Sequence, residues 1–155
     1  MKKTAKIFLA ISLALCLLSG IFASVYQSSF NTVEVEDFNV IVENGSYVNG
    51  QLYIPKDASE DNKLPFLVFL HGNFNNYSMQ DQNAIELSRR GFVVMITDNF
   101  NMGNSSITEP GAWDMSQIRL MIEYATSCYN FIDTEKIGIY GHSLGGYVAH
   151  DAVQY

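Results

Sequence analysis

Gly141-His142-Ser143-Leu144-Gly145 places a serine between two glycines in the pattern G-x-S-x-G. The pattern alone is weak, since chance supplies it in roughly one chain of this length in twenty at ordinary glycine and serine frequencies. Its setting raises it. The tetrapeptide Ile137-Gly138-Ile139-Tyr140 reads as a short strand directly before it, and a helix pattern opens from Ser143 onward. A strand–turn–helix with serine at the bend is the nucleophile elbow of acyl-transfer chemistry. The bend is so sharp that flanking side chains would clash, which accounts for Gly141 and Gly145 beside His142. It also sets Ser143 near a helix amino terminus, whose N–H groups favour an anion.

A tetrahedral oxyanion needs two preorganised N–H donors. Leu144, next after the serine, supplies one. The second is expected from the loop closing an earlier strand, where His71-Gly72-Asn73-Phe74 ends an apolar run and Asn73 is the best-placed candidate. The expected site is therefore Ser143 as nucleophile, Leu144 and Asn73 as oxyanion donors, and Gly141, His142 and Gly145 as the elbow.

A serine hydroxyl also needs a histidine to take its proton and a carboxylate to orient that histidine. Only twelve residues follow Ser143. His150 and Asp151 share the helix after the serine, and His150 lies about 10 Å along its axis, out of reach. His142 should project away from Ser143, and His71 lines the pocket rather than acting as base. Acid and base are thus missing. The chain reads as the amino-terminal half of an enzyme, either cut short or completed by another chain. Alone it is expected to be poorly soluble and without esterase activity, with an open strand edge.

The elements that must carry these residues alternate. Residues 33–42 and 47–54 form a hairpin around Asn44-Gly45, and residues 55–63 a polar loop. FLVFL at 66–70 and FVVMIT at 92–97 are apolar runs without alternation, as expected of strands buried on both faces. Ser78 with Asp81 resembles a capping box opening a helix that reaches about Arg90 and stops at Gly91. An Asn-rich loop spans 98–111. A helix then runs from near Asp114 to Tyr129 with Ile118, Met121, Ile122 and Ala125 on one face. Strand–helix alternation after a hairpin means a mostly parallel sheet flanked by helices, left incomplete at the carboxy terminus.

At its amino end the chain carries Lys2, Lys3 and Lys6, then IFLAISLALCLLSGIFASVY at 7–26. Twenty helical residues span about 30 Å, the hydrocarbon thickness of a bilayer. The run is long for a cleaved signal peptide, although a cut after Ala23 would give a secreted form. Leu15 before Cys16 argues against a lipoprotein. Lysines before the run and an acidic domain after it favour the amino end inside and the domain on the extracytoplasmic side. The organisation is a basic segment at 1–6, a transmembrane anchor or signal peptide at 7–28, and a partial domain at 33–155.

Composition excludes other classes. After the leader stand six basic and sixteen acidic residues, a net of −10, which would repel a phosphate backbone, so no nucleic-acid partner is expected. Ten Phe, nine Tyr and three Pro exclude disorder. Three histidines and two cysteines offer no zinc spacing, and no phosphate-cradling glycine loop occurs, so neither metal nor cofactor is expected. Cys128 is expected to be a small buried hydrophobe, and Trp113 to pack. Sequons at Asn44, Asn76 and Asn104 read as Asn-rich turns.

The leader, LYIPKDA, LVFLHGN, AIELSRRGFVVMITD and IGIYGHSLGG together resemble the α/β-hydrolase fold family. Within it the chain is similar to bacterial membrane-anchored serine hydrolases of the dienelactone hydrolase and serine-aminopeptidase type. The resemblance covers residues 33–155. It implies a serine hydrolase for a small acyl substrate, with acyltransferase or peptidase chemistry, or an inactive binding module, as rivals. In such relatives a D-x-x-G-x-G-x-S segment follows the second buried strand. Here the stretch Asp98-Asn99-Phe100-Asn101-Met102-Gly103-Asn104-Ser105 keeps one glycine and loses the other, so the shape of that loop does not carry over.

Overall fold

Apolar runs, turns and amphipathic stretches fall into four helices and five strands in the computed structural model, which describes residues 3–27, 29–41, 45–99, 101–106 and 116–152. They are α1 (Lys3–Gln27), β1 (Val33–Ile41), β2 (Tyr47–Pro55), β3 (Leu64–Leu70), α2 (Asp81–Ser88), β4 (Val93–Thr97), α3 (Ser116–Cys128), β5 (Ile132–Gly141) and α4 (Leu144–Ala152). A 3₁₀ turn, Tyr77–Gln80, leads into α2.

The strands form one open sheet in the order β1-β2-β4-β3-β5. β1 pairs antiparallel with β2, and β2 antiparallel with β4. β3 lies parallel to both β4 and β5. The sheet is therefore mixed, with a hairpin at one edge and three parallel strands at the other. The ladders fix its polarity: Leu70 is level with Thr97 and with Gly141, so β3, β4 and β5 end together. Val33, opposite Pro55, lies at the other end.

Alternating side chains divide the core into two layers, as the two-residue period of a strand requires. Phe66, Val68 and Leu70 of β3 and Val93 and Met95 of β4 face one side, where they meet Ile118, Met121 and Ala125 of α3 and Val148 and Ala149 of α4. Phe69, Val94 and Ile96 face the other, against Ala84 and Ile85 of α2. All five residues of β4 are buried, which explains its unbroken apolar run.

Several local expectations shift. The cap of the segment before α2 is Asn76, whose side chain accepts from the Ser78 N–H at 3.1 Å and from its hydroxyl at 2.6 Å. Ser78 is thus capped rather than capping, and Asp81 instead accepts from the Tyr53 hydroxyl at 3.3 Å. β5 begins five residues earlier than its apolar core. Its register shifts between Pro65 and Phe66 of β3, and Lys136 grips Asp133 at 2.7 Å within the irregular stretch. Cys128 is exposed, not buried. Tyr129 and Phe131, with rings 5.3 Å apart, pack against the core there and leave the thiol outside. The turn residue Asn44, Trp113 and the expected helix start at Asp114 lie outside the described residues.

α1 is apolar over Lys3–Tyr26, with mean hydropathy 2.4 and none of its most apolar window buried. It is long enough to cross a membrane.

Candidate active site

The chain reverses at Ser143 between β5 and α4, and the backbone does so in a conformation L-residues rarely adopt: Ser143 has φ +53°. Such a residue costs about 1–3 kcal/mol and persists only where its surroundings fix it. Two hydrogen bonds and two close approaches fix it here. The His142 N–H donates to Leu70 O at 3.1 Å, tying the elbow to the end of β3, and the Gly145 N–H returns to His142 O at 2.9 Å. Gly145 is buried so close to β3 that a Cβ on it would lie 2.5 Å from Leu70 O and 2.7 Å from His71 O. A Cβ on Gly141 would fall on the Gly145 carbonyl. The two glycines are thus required by the approach of strand to helix rather than by the serine side chain.

Ser143 is exposed, as are His142 and Asn73, while Leu144 is half-buried. The Asn73 loop does come to the serine. Gly72, its neighbour, is buried against the elbow, with its Cβ direction 2.9 Å from His142 Nδ1 and 3.4 Å from Ser143 Cβ. The Leu144 N–H opens α4, where the first helical N–H groups lack intrahelical acceptors. The structure therefore brings Ser143, Leu144 and the loop of Asn73 together at the level where β3, β4 and β5 end.

His71 stands elsewhere in the arrangement than a pocket-lining role requires. It is wholly buried. Its Nδ1 donates to Gly72 O at 2.7 Å, and its Nε2 accepts the Asn99 N–H at 3.1 Å. A backbone N–H can only donate, so Nε2 carries no proton and the ring is the neutral Nδ1–H form. Asp98 Oδ1 lies 3.7 Å from Nε2. With a lone pair on that nitrogen the two make no ion pair, and the distance exceeds a hydrogen bond. Both ring nitrogens are thus engaged away from Ser143.

The remaining histidines lie on the elbow and on the helix after it. His142 is exposed on the elbow itself. His150 is exposed on α4, 3.7 Å from Asp151. Among the described residues no histidine–carboxylate pair faces Ser143, and no group of three or more His, Cys, Asp or Glu could hold a metal.

Sequence reasoning missed Asp98 and Asn99 as parts of this site. Asp98 is wholly buried and its carboxylate accepts two backbone N–H groups, from Tyr77 and Asn104, each at 2.7 Å. Gly103, at φ +55°, passes directly over that carboxylate, where a Cβ would collide with it. This is the glycine retained from the expected segment. Between the two loops lies a cavity of about 450 Å³ lined by Asn73, Phe74, Asn76, Asn101 and Met102. A larger recess of about 770 Å³ sits beside Val33 and Tyr26 and contains none of the candidate catalytic residues.

A family model for the alpha/beta hydrolase fold matches residues 65–154, and the chain belongs to that family. Dipeptidyl peptidase 8 of Mus musculus is 30% identical over 128 residues, covering 74% of this chain and 14% of that protein, and the Homo sapiens protein matches equally. Among solved structures, the Pyrococcus furiosus esterase Pf2001 superposes with TM-score 0.63 at 19% identity, over 81% of this chain and 49% of the esterase. Brefeldin A esterase, a bacterial homologue of human hormone sensitive lipase, gives TM-score 0.61 at 18% identity, over 79% of this chain and 35% of that one. The chain thus spans about one seventh of the curated relatives and half or less of these structures.

Proposed function

We propose that this chain carries the nucleophile-bearing part of a membrane-anchored serine hydrolase acting on carboxylic esters or related acyl bonds of small molecules. Ser143 Oγ attacks the acyl carbon. The carbonyl oxygen gains the negative charge and is held by the N–H groups of Leu144 and Asn73. The alcohol or amine leaves with a proton, and water then releases the acid. The base and acid that activate Ser143 come from outside the described residues. The single observation supporting this reading is the exposed, left-handed serine at the strand–helix bend, seated against Gly72.

Peptide-bond cleavage is a second reading, favoured by the similarity to dipeptidyl peptidase 8. Product analysis with ester and dipeptide substrates distinguishes the two. The anchor reading of α1 places the amino end inside and the catalytic domain on the extracytoplasmic side.

The test uses the full-length protein expressed from its own locus. Membranes are treated with a fluorophosphonate probe and digested, and the peptide containing Ser143 is sought by mass spectrometry. An adduct on Ser143 that is lost in Ser143→Ala supports the proposal. An unlabelled serine in membranes whose other serine hydrolases are labelled would favour the non-catalytic alternative.

A further inference from the structure

The loop that carries Asn73 is exposed through its middle and gripped at its ends. Residues 73–76 are exposed, Phe74 to 95%, so packing does not set their place. At one end, His71 is held twice by Asn99: the Asn99 N–H donates to His71 Nε2 at 3.1 Å and Asn99 Nδ2 to His71 O at 3.2 Å. At the other end, the Tyr77 N–H donates to Asp98 Oδ1 at 2.7 Å. Two consecutive residues after β4 thus close a clasp around the whole loop.

The clasp is itself anchored. Asp98 Oδ2 accepts the Asn104 N–H, and its carbonyl oxygen accepts from Gln117 Nε2 of α3 at 2.7 Å. A buried carboxylate without a cation is costly unless its oxygens are hydrogen-bonded. Here both oxygens are bonded to backbone N–H groups that belong to different loops. The bonds that satisfy the charge therefore also fix the loops' spacing.

We propose that Asp98 and Asn99 are positioning residues, which hold the Asn73 N–H at the distance from Ser143 that an oxyanion requires. The proposal rests on the reading of Ser143 as nucleophile. It says that the donor is set from behind, by a carboxylate that touches neither substrate nor serine.

The test uses the full-length protein in its native membranes. Asp98→Asn keeps one acceptor and turns an amide N–H₂ toward the other backbone donor. Tyr77→Pro removes the same hydrogen bond from the opposite side. Tyr77 opens the 3₁₀ turn, where proline is tolerated, and Asn76 before it is already extended at φ −138° and ψ 176°. Tyr77→Ala keeps the N–H and controls for the lost ring. Amide hydrogen exchange is followed in peptides covering 72–78 and 137–150, with kcat and KM for a p-nitrophenyl ester.

Asp98→Asn and Tyr77→Pro should speed exchange over 72–78 while leaving 137–150 unchanged. Both should lower kcat about tenfold to a hundredfold with little change in KM, as for a displaced oxyanion donor; Tyr77→Ala should resemble the wild type. If Asp98→Asn fails to fold, the Tyr77 pair carries the test alone. Unchanged exchange over 72–78 would overturn the clasp, whatever Ser143 does. Faster exchange with unchanged kcat would overturn the positioning role alone. Undiminished hydrolysis in Ser143→Ala would overturn the nucleophile reading and this proposal with it, while the exchange result would still stand as a statement about the loop.

Discussion

Gly72 and Ser143 lie so close that a methyl group on the glycine would sit 3.4 Å from the serine Cβ, an ordinary van der Waals contact. Its nearer neighbour, His142 Nδ1 at 2.9 Å, belongs to the ring of an exposed side chain that can rotate aside. Gly72→Ala should therefore fold normally and label slowly with a fluorophosphonate, and the branched Gly72→Val should abolish labelling. Comparing thermal midpoints with labelling rates for the two variants checks this. Full-rate labelling of the valine variant would mean the loop does not border the reacting oxygen.

Gly145 presents the opposite case, because its neighbours are backbone. A Cβ there would meet the carbonyl oxygens of Leu70 and His71, which cannot move without the end of β3. Gly145→Ala should destabilise the domain by about 1–3 kcal/mol, the usual range for overpacking. A denaturant midpoint matching the wild type would refute the close packing of α4 on the sheet.

Tyr53 and Tyr129 are among the tyrosines whose protons the fold holds more tightly. Burial pushes the Tyr129 hydroxyl's pKa up, and its hydrogen bond to Glu36 Oε2 at 2.8 Å pushes it further. Burial raises Tyr53 too, followed by the nearby Asp81 carboxylate. The folded chain thus keeps these protons beyond the ordinary tyrosine value of about 10. The stabilisation is complete below that pH and is lost as pH rises above it. Denaturation midpoints should fall from about pH 10 upward, and Tyr129→Phe should fall less steeply.

α1 makes its own prediction. As an anchor it should keep the chain in the membrane pellet through alkaline extraction. An arginine at the bilayer centre costs about 2.5–3.5 kcal/mol on insertion scales, so Leu13→Arg with Leu17→Arg should release it. A mature protein beginning at Ser24 would instead show that the leader is cleaved.

Much of this architecture could be read from the sequence, for identifiable reasons. β3 and β4 are buried on both faces, and doubly buried strands leave unbroken apolar runs. The elbow was readable because close backbone approach tolerates only glycine at positions 141 and 145. The clasp was not. Asp98 reads as the first residue of an Asn-rich loop, and its value lies in accepting backbone N–H groups 21 residues before and six residues after it. Such bonds leave no trace in residue type at the donor, since any residue but proline supplies an N–H. His71 misled in a related way: a polar residue at a strand end suggests a pocket, and only its partners reveal a buried strut. Asn76 rather than Ser78 caps the 3₁₀ turn because both residue types accept from a neighbouring N–H, and spacing alone does not choose between them.

The strand order has an outcome for synthesis on the ribosome. β3 is translated before both of the strands that flank it, and its neighbours on either side, β4 and β5, end 27 and 71 residues later. Until Thr97 has emerged, LPFLVFL has no partner on either side and can pair with any passing chain. β4 then shields one side, and the other stays open until Gly141 has followed. The nascent polypeptide therefore carries this apolar stretch with both edges open for 27 residues of elongation and one edge open for 71, which makes chaperone occupancy of that heptapeptide the natural companion of its birth.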